Sequence, residues 1–498
     1  MKKVVSVSQM RESDCVACEK IPSRELMYRA AMGIYNSVKW DGKILIACGY
    51  GNNAGDGFAL ATILKQNGHS PVLLILNRRF SEDGEYYFNK CKEMEIVHVA
   101  FKEKLSLRGF DIIVDCIFGT GFKGALEPNV KVLFEKINES SAYVVSADIN
   151  SGLNADSGLC ECCVKSDLTI SIGDYKTGHF LGMAKDKIAR ALNVDIGIEI
   201  QGEPYYLVTR EDASKLLFKR DNYSHKGKYG YVAIIGGSEE YSGAIKLSNL
   251  ACSAIKSGAG VVKLASARSL RGAILPYLLE STYLPLSDEN GQIKFVKEEI
   301  DDLLCGTHCV AIGMGMGKRC EGKEIIEYIL KNYEGRVVID ADGLNFLSEM
   351  DASILKEAKA EVVLTPHLKE FERLLGVPVS EIEQKPIHYA KEYARKNGII
   401  LLLKGSSTIV TDGKDVFITD TGCAGMATAG SGDVLSGILC ALLGSYEKRS
   451  LLESTYLGAY INGLAGELAM EEMGDISMCA GDTVNCIPSA IMEIKESY

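Results

Sequence analysis

Long apolar runs are missing from this sequence. The longest candidates, residues 399–403 and 438–443, are core-sized, well short of the ~18 residues that a membrane span needs. Proline is scarce, at 10 in 498 residues, which argues against a long proline-rich tether. An excess of positive charge is missing too: 55 Lys and Arg face 66 Asp and Glu, for a net charge of −11. That balance does not suit a polyanionic partner, so neither nucleic acid nor an anionic membrane is expected. Local phosphate pockets survive the exclusion, because backbone N–H groups bind anions without side-chain charge. Residues 1–15 (MKKVVSVSQMRESDC) carry two lysines but no apolar stretch of the kind an export signal needs. The 16 cysteines are therefore expected as reduced thiols in a cytoplasmic protein. Cys15 with Cys18, and Cys160 with Cys162 and Cys163, lack the paired four-ligand spacing of a zinc site and read as thiols.

What is present is an α/β alternation, long enough for two or three domains. With 47% of residues hydrophobic, full cores can form without disulfide staples. Buried-strand patterns occupy residues 43–48, 71–76, 110–116, 143–149 and 166–172. Helical periodicity fills 56–67, 85–95 and 127–138 between them. This reads as a doubly wound, Rossmann-like three-layer αβα domain of about 200 residues. Residues 198–210 break the rhythm and form the candidate linker. The alternation then restarts with strands at 231–235, 260–265, 310–312, 336–339, 362–364 and 399–403, a hairpin of 408–411 with 416–419, and helices at 242–257 and from 431 onward. No repeat relates the halves, so two different domains are expected, 1–207 and 208–498.

In the front half three strands run into glycine and polar residues: 49–57 (GYGNNAGDG), 115–121 (DCIFGTG) and 148–158 (DINSGLNADSG). In open α/β sheets ligands bind off the carboxyl ends of strands. The first segment is neither a P-loop nor GxGxxG, since no GK[ST] follows and position 54 is alanine. Asn53, Asp115 and Ser151 bring oxygen to the three strand ends, and oxygen without sulfur or imidazole suits a hard cation. Each segment alone is ordinary turn chemistry.

Together they resemble the N-terminal domain of the NAD(P)H-hydrate epimerases, whose pattern runs GxGNNGGDG, DxIFGTG and DxPSGLxADxG. A fourth segment, 166–182 (SDLTISIGDYKTGHFLG), is similar to that family's ADLTxxFxxxKxGxxxG stretch. The resemblance implies that Asn52, Asn53, Ala54, Gly55 and Asp56 hold the hydrated nucleotide. Gly119, Thr120, Gly121, Phe122, Lys123, Gly124 and Ala125 join them. It implies a potassium ion on Asn53, Asp115 and Ser151, and Asp148 as the proton-transfer residue at the nicotinamide end. Ala54 stands where the family has glycine; if that position needs a positive φ, alanine costs on the order of 1 kcal/mol. Asn150 stands where the family has proline, which is expected to loosen that turn.

The strongest signal in the back half is 425–437 (GMATAGSGDVLSG). Its glycines precede a helix expected to begin near Asp433. Such a turn presents backbone N–H groups that stabilise charge on a transferring phosphoryl group, and the neighbouring carboxylate can take a proton from an attacking hydroxyl. Alone, Asp433 could be a simple N-cap. Five further strand ends, 236–244 (GGSEEYSGA), 313–317 (GMGMG), 340–344 (DADGL), 365–374 (TPHLKEFERL) and 404–408 (KGSST), point to one nucleotide-sized cleft. The set resembles the ADP/ATP-dependent NAD(P)H-hydrate dehydratases of the ribokinase superfamily, so a ribokinase-like αβα domain is expected. The resemblance implies that Ala244, Gly315, His367 and Asp433 line the hydrate site. It implies that Lys404, Gly405, Ser406, Ser407 and Thr408, with residues 423–432 including Gly430, Ser431 and Gly432, hold ADP. Asp433 would be the catalytic base, and magnesium would ride on the nucleotide phosphates.

The expected activity is repair of hydrated NADH and NADPH: epimerisation of the R and S forms, then dehydration of the S form at the expense of ADP. The resemblance also implies a homo-oligomer. Two alternatives differ in class. A ribokinase-like vitamin or sugar kinase fused to a dinucleotide-binding module would phosphorylate an alcohol without eliminating phosphate. A non-enzymatic dinucleotide sensor would not need Asp148 and Asp433.

Overall fold

The strand Ile44–Cys48 sends its side chains into two different cores. Ile44, Ile46 and Cys48 pack with Phe58 and Leu60 of the following helix, Gly51–Gln66. Leu45 and Ala47 pack with Leu133, Phe134 and Ile137 of the helix Pro128–Asn138. Side chains alternate along a strand, so a strand apolar at every position is buried on both faces, as parallel sheets require. The computed structural model describes residues 1–122, 126–252, 257–318, 320–351, 353–445 and 449–496.

The chain divides into two compact units, Lys3–Tyr205 and Tyr206–Tyr498 with Met1–Lys2. The division falls two residues ahead of the expected 207/208 boundary. The expected linker 198–210 contains the strand Tyr205–Leu207, and the helix Arg210–Lys215 starts at its end.

The front unit carries a sheet in the order His98–Ala100, Val72–Ile75, Ile44–Cys48, Ile112–Cys116, Tyr143–Ala147, Leu168–Ile172, Ala191–Val194, every pair parallel. The chain winds outward from Ile44–Cys48, returns, and winds the other way from Ile112–Cys116. The gap between those two strands is the topological switch point, where such sheets bind ligands.

Two local expectations change here. The helix starts at Gly51, not at position 56, so the glycine-rich stretch forms its first turns. Ala54 lies within it, fully buried and outside the positive-φ residues, and carries no strain. Asn150 does not loosen its turn but fastens it. Its Nδ2 donates to Val164 O, Lys187 O and Ser166 Oγ at 2.9–3.0 Å, and its Oδ1 accepts from Thr169 Oγ1 at 2.5 Å.

The back unit's sheet runs Thr282–Leu286, Val261–Ala267, Tyr231–Ile235, Cys309–Ile312, Arg336–Ile339, Glu361–Leu364, Ile400–Leu403, all parallel. The antiparallel hairpin Thr408–Thr411 and Val416–Thr419 follows, and Tyr206 and Leu207 pair in parallel with Phe417 and Ile418 on its outer strand. The switch point lies between Tyr231–Ile235 and Cys309–Ile312. The helix expected over 242–257 is described as Ser242–Cys252, its remainder lying partly outside the described residues. The apolar helix Ser431–Gly444 packs against it. Two more helices, Leu451–Met473 and Ala480–Lys495, complete the tail.

Candidate functional sites

A cavity of about 690 Å³ opens at the front switch point. Asn52, Asn53, Asp56, Gly119, Thr120, Gly121, Phe122 and Asp148 all line it. Ala54 and Gly55 do not: Ala54 faces the apolar core, and a Cβ on Gly55 would stand 2.5 Å from Met27 Cε. Lys123, Gly124 and Ala125 lie outside the described residues. The helix Gly51–Gln66 begins at this cavity with no side-chain cap on its first turn; Gly51 N donates to Arg79 O at 3.2 Å, and the next N–H groups, of Asn52 and Asn53, are placed for an anion. Tyr50, Phe118 and Phe122 stack in series, with centroids 5.3 and 4.5 Å apart, and give an apolar wall beside that anion site.

Asp148 follows the strand Tyr143–Ala147 with φ at +65°, a strained conformation for a residue with a Cβ and one that clusters at functional sites. Its surroundings hold it there. His179 accepts from Lys176 N–H through Nδ1 at 2.9 Å, which puts the ring proton on Nε2, and Nε2 donates to Asp148 O at 2.7 Å. Burial holds His179 down at about 4, and the neighbouring Lys176 charge adds to that, so the ring stays neutral in this role. Lys176 is buried, and its Nζ sits 2.5 Å from Asp148 Oδ1. Pairing of Val4 and Val5 with Tyr175 and Lys176 fixes the lysine's backbone.

Asp14, Asp56 and Asp83 also line the cavity, and the first two interact with Asp148 and Lys176. Burial pushes Asp56 well up, and the Asp148 and Asp14 charges push the same way. Asp14, on the helix Val7–Cys18, is raised to about 6, by burial first, with Lys176 opposing and Asp148 adding. Asp14 and Lys176 were not among the expected site residues. Lys176 lay in the quoted 166–182 stretch without a role, and Asp14 lay in no motif. One ammonium among three carboxylates leaves protonated and ionised acids side by side, the condition for paired acid and base roles.

Asp115 and Ser151 lie just behind, fully buried. Asp115 accepts from Ser151 Oγ at 2.5 Å, Ser151 N at 2.9 Å, Ser146 Oγ at 3.0 Å and Ile117 N at 3.2 Å. Burial raises its pKa against these bonds, and no cationic side chain pairs with it among the described residues. Asn53 is buried with neither side-chain amide atom hydrogen-bonded. A buried carboxylate bonded only to neutral donors, together with an unsatisfied amide oxygen, fits a weakly hydrated monovalent cation.

In the back unit the helix Ser431–Gly444 starts at residue 431, as expected for the tail, and again has no side-chain cap. Its N-cap, Gly430, has φ at +96°, and a Cβ there would stand 2.6 Å from Leu247 Cδ1. Asp433 is raised to about 7, by burial first and then by the Asp340 charge, with Lys404 opposing. Asp340, unassigned from sequence, is the hub. It accepts from Lys404 Nζ at 2.8 Å and from Ser436 Oγ at 2.6 Å. The next residue, Ala341, has φ at +51°, so both candidate sites carry a strained non-glycine residue at a strand end. A Cβ on Gly432 would stand 3.4 Å from Lys404 Nζ and 3.6 Å from Asp340 Oδ2, which brings the glycine turn, Lys404 and Asp340 together.

Burial works against the Lys404 charge, but Asp340 and Glu370 outweigh it and raise its pKa. Thr408 opens the hairpin strand, and the Gly405–Ser407 turn before it joins that strand to Lys404. Ala244 and Gly315 meet, since a Cβ on Gly315 would stand 3.0 Å from Ala244 Cβ. One turn on from Ala244, Ser248 Oγ donates to Asp433 O at 2.9 Å. His367 caps the helix Leu368–Leu375, its Nδ1 accepting from Lys369 N and Glu370 N. Burial and then Lys404 lower its pKa, and its Nε2 stands 3.5 Å from Glu370 Oε1.

Comparison with known proteins agrees with both halves. A family model described as NAD(P)H-hydrate dehydratase matches residues 232–489, and one described as YjeF-related protein N-terminus matches 23–178. The bifunctional NAD(P)H-hydrate repair enzyme of Moorella thermoacetica is 32% identical, covering 99% of this chain and 97% of its own. That of Escherichia coli is 32% identical over 92% and 87%. An ADP/ATP-dependent NAD(P)H-hydrate dehydratase from Bacillus subtilis, solved with ATP and Mg2+, superposes with a TM-score of 0.50 at 26% identity, covering 58% of this chain and 99% of that one. No helix among the described residues is long and apolar enough to cross a membrane. Full-length relatives above 30% identity, with a dehydratase model matching more than half of the residues, place this chain in the bifunctional NAD(P)H-hydrate repair family.

Proposed function

We propose that the two units carry out successive steps in the repair of hydrated NADH and NADPH. The front unit interconverts the R and S hydrates. The back unit converts the S hydrate to NAD(P)H, using ADP and releasing AMP and phosphate. The observation that carries the back-half reading is Asp433 on an uncapped helix N-terminus, with its carboxyl poised at about 7. In its ionised form Asp433 takes the proton from the ring hydroxyl as that oxygen attacks the β-phosphorus of ADP. The Gly430 and Gly432 amides would face the phosphoryl charge, with the Lys404 ammonium held beside Gly432 by Asp340. Elimination of the new phosphate ester then restores the reduced ring. A magnesium ion would be carried on the nucleotide beside the carboxylates of Asp340 and Asp433, and when bound it would neutralise phosphate charge.

In the front unit the nucleotide's phosphates suit the N–H groups of Asn52 and Asn53, and its ring suits the acidic end of the cavity. Epimerisation requires the ring hydroxyl to leave as water and water to return on the other face. A protonated Asp14 can donate to the departing hydroxyl, and Asp148, seated by Lys176, can take the proton from the returning water. Asn53, Asp115 and Ser151 would hold a potassium ion that offsets the Asp115 charge. A higher melting temperature in potassium buffer than in an organic-cation buffer, abolished in Asp115→Asn, is expected; equal melting in both buffers rejects the ion.

The deciding experiment is incubation of the full chain with mixed R and S NADH hydrates and ADP, following the return of reduced-nicotinamide absorbance and the inorganic phosphate released. Both epimers should disappear, with one phosphate per NADH. A phosphorylated product that accumulates without NADH would favour the kinase reading instead.

A further inference from the structure

The segment from Cys160 to Cys163 plays no part in the repair chemistry, yet it holds two thiols in register for a reaction of their own. The Cys160 and Cys163 Sγ atoms stand 3.4 Å apart, with Met183 Sδ 3.7 Å from Cys160. Their access differs. Cys160 is half-exposed, whereas Cys163 is buried among Val7, Ile149, Leu153 and Ala184. Cys162, between them in sequence, packs against a different core, the one built on the helix Pro128–Asn138. That leaves two facing thiols, fewer than a zinc site uses. A reachable cysteine three positions before a shielded one is the arrangement of an attacking and a resolving thiol.

The local charges agree. The Cys163 thiol's hydrogen bond brings Cys160 down to about 7, against burial and with help from Lys187. Cys163 is held protonated by that bond and by its burial. The one carboxylate within the segment, Glu161, is turned to Lys131 at 2.7 Å.

We propose that Cys160 and Cys163 form a redox-active dithiol that reduces low-molecular-weight disulfides and is itself oxidised to an intramolecular disulfide. The Cys160 thiolate attacks one sulfur of the disulfide and expels the other half as a thiolate, leaving a mixed disulfide on Cys160. Cys163 loses its proton and attacks the Cys160 sulfur, expelling the second half. Two electrons leave the dithiol, one disulfide becomes two thiols, and the two protons end on those thiols. Val164, next in sequence, donates N–H to Ser151 O and accepts from Asn150 Nδ2, each at 3.0 Å. The modified segment is therefore tied to the turn that carries Asp148.

The test uses the full-length chain and oxidised glutathione, read by mass spectrometry of the peptide containing Cys160. Wild type should become lighter by two hydrogens with no glutathione retained. Cys163→Ser should accumulate glutathione on Cys160, and Cys163→Ala repeats the measurement without placing a hydroxyl in the apolar site. Cys162→Ser should close like wild type. The reaction should reach half its maximal rate at a pH below the ~8.5 of an ordinary thiol, the direction in which the Cys163 bond and Lys187 move Cys160. Failure of the wild type to close, loss of closure in Cys162→Ser, or no glutathione on Cys160 in both Cys163 variants would each overturn the assignment.

Discussion

Asp433 is a costly place to keep a charge. Its carboxyl moves from an ordinary 3.8 to about 7, through burial and the nearby Asp340. The folded chain therefore binds this proton more tightly than the unfolded chain does. Its contribution to stability is complete below 3.8 and is lost as pH rises through about 7. Asp433→Asn keeps the shape and removes the charge, so it should raise the melting temperature at about pH 8 and much less at about pH 5. Dehydration should fall on the order of 10²–10⁴-fold, with epimerisation intact. In wild type the dehydration rate should climb with pH and level off above about 7, as the base form fills. A variant that keeps near-normal dehydration, or a flat wild-type profile, would remove Asp433 as the base.

Asp14 makes the opposite demand, since the proposed epimerisation uses it protonated. Interconversion of the epimers should decline as pH rises past about 6, and Asp14→Asn should lower it on the order of 10²-fold and erase that alkaline limb. Retention of the limb in the variant would assign it to another group. Asp148, Asp433, Lys176 and Asp340 all lie in motifs visible in the sequence, but the ion pairs of Lys176 and Asp340 are made with partners 28 and 64 residues away. Those distances are set by strand order, which no local pattern encodes.

At the scale of elements, the strands were legible because parallel strands buried on both faces are apolar at every position. The start of the helix Gly51–Gln66 was not, because its composition is that of a turn. Glycine in a helix costs about 1 kcal/mol relative to alanine, and positions 51, 55 and 57 are all glycine. Packing explains the choice at two of them: a Cβ on Gly55 would meet Met27 Cε at 2.5 Å, and one on Gly57 would meet Cys116 Cβ at 2.9 Å. Ala54 has no such neighbour to accommodate and supplies helix propensity in their midst. Ala54→Gly, the family's residue, should therefore lower stability by about 1 kcal/mol rather than relieve strain. Chemical denaturation of the two chains measures it, and a stabilised variant would restore the idea that position 54 needs a positive φ. Asn150 makes the same point, since its four bonds to the 164–187 region depend on contacts that only the folded turn creates.

At the scale of the whole molecule, each unit has its own switch point and its own acidic centre. Nothing in either mechanism needs a group from the other unit, so the S hydrate is expected to pass between sites through solution. Mutations in separate sites then act independently. Asp148→Ala chains should convert S hydrate normally and leave R hydrate behind. Asp433→Asn chains should equilibrate the epimers and return no NADH. An equimolar mixture of the two variants, supplied with pure R hydrate and ADP, should regenerate NADH at a rate close to that of wild type at the same concentration of each working site. A mixture far slower than that would mean handover within one chain. Loss of S conversion in Asp148→Ala alone would mean that the front acid also serves the back reaction. Activity of the mixture on R hydrate, set against the inactivity of each variant by itself, is the direct measure of whether one polypeptide carries two enzymes or one.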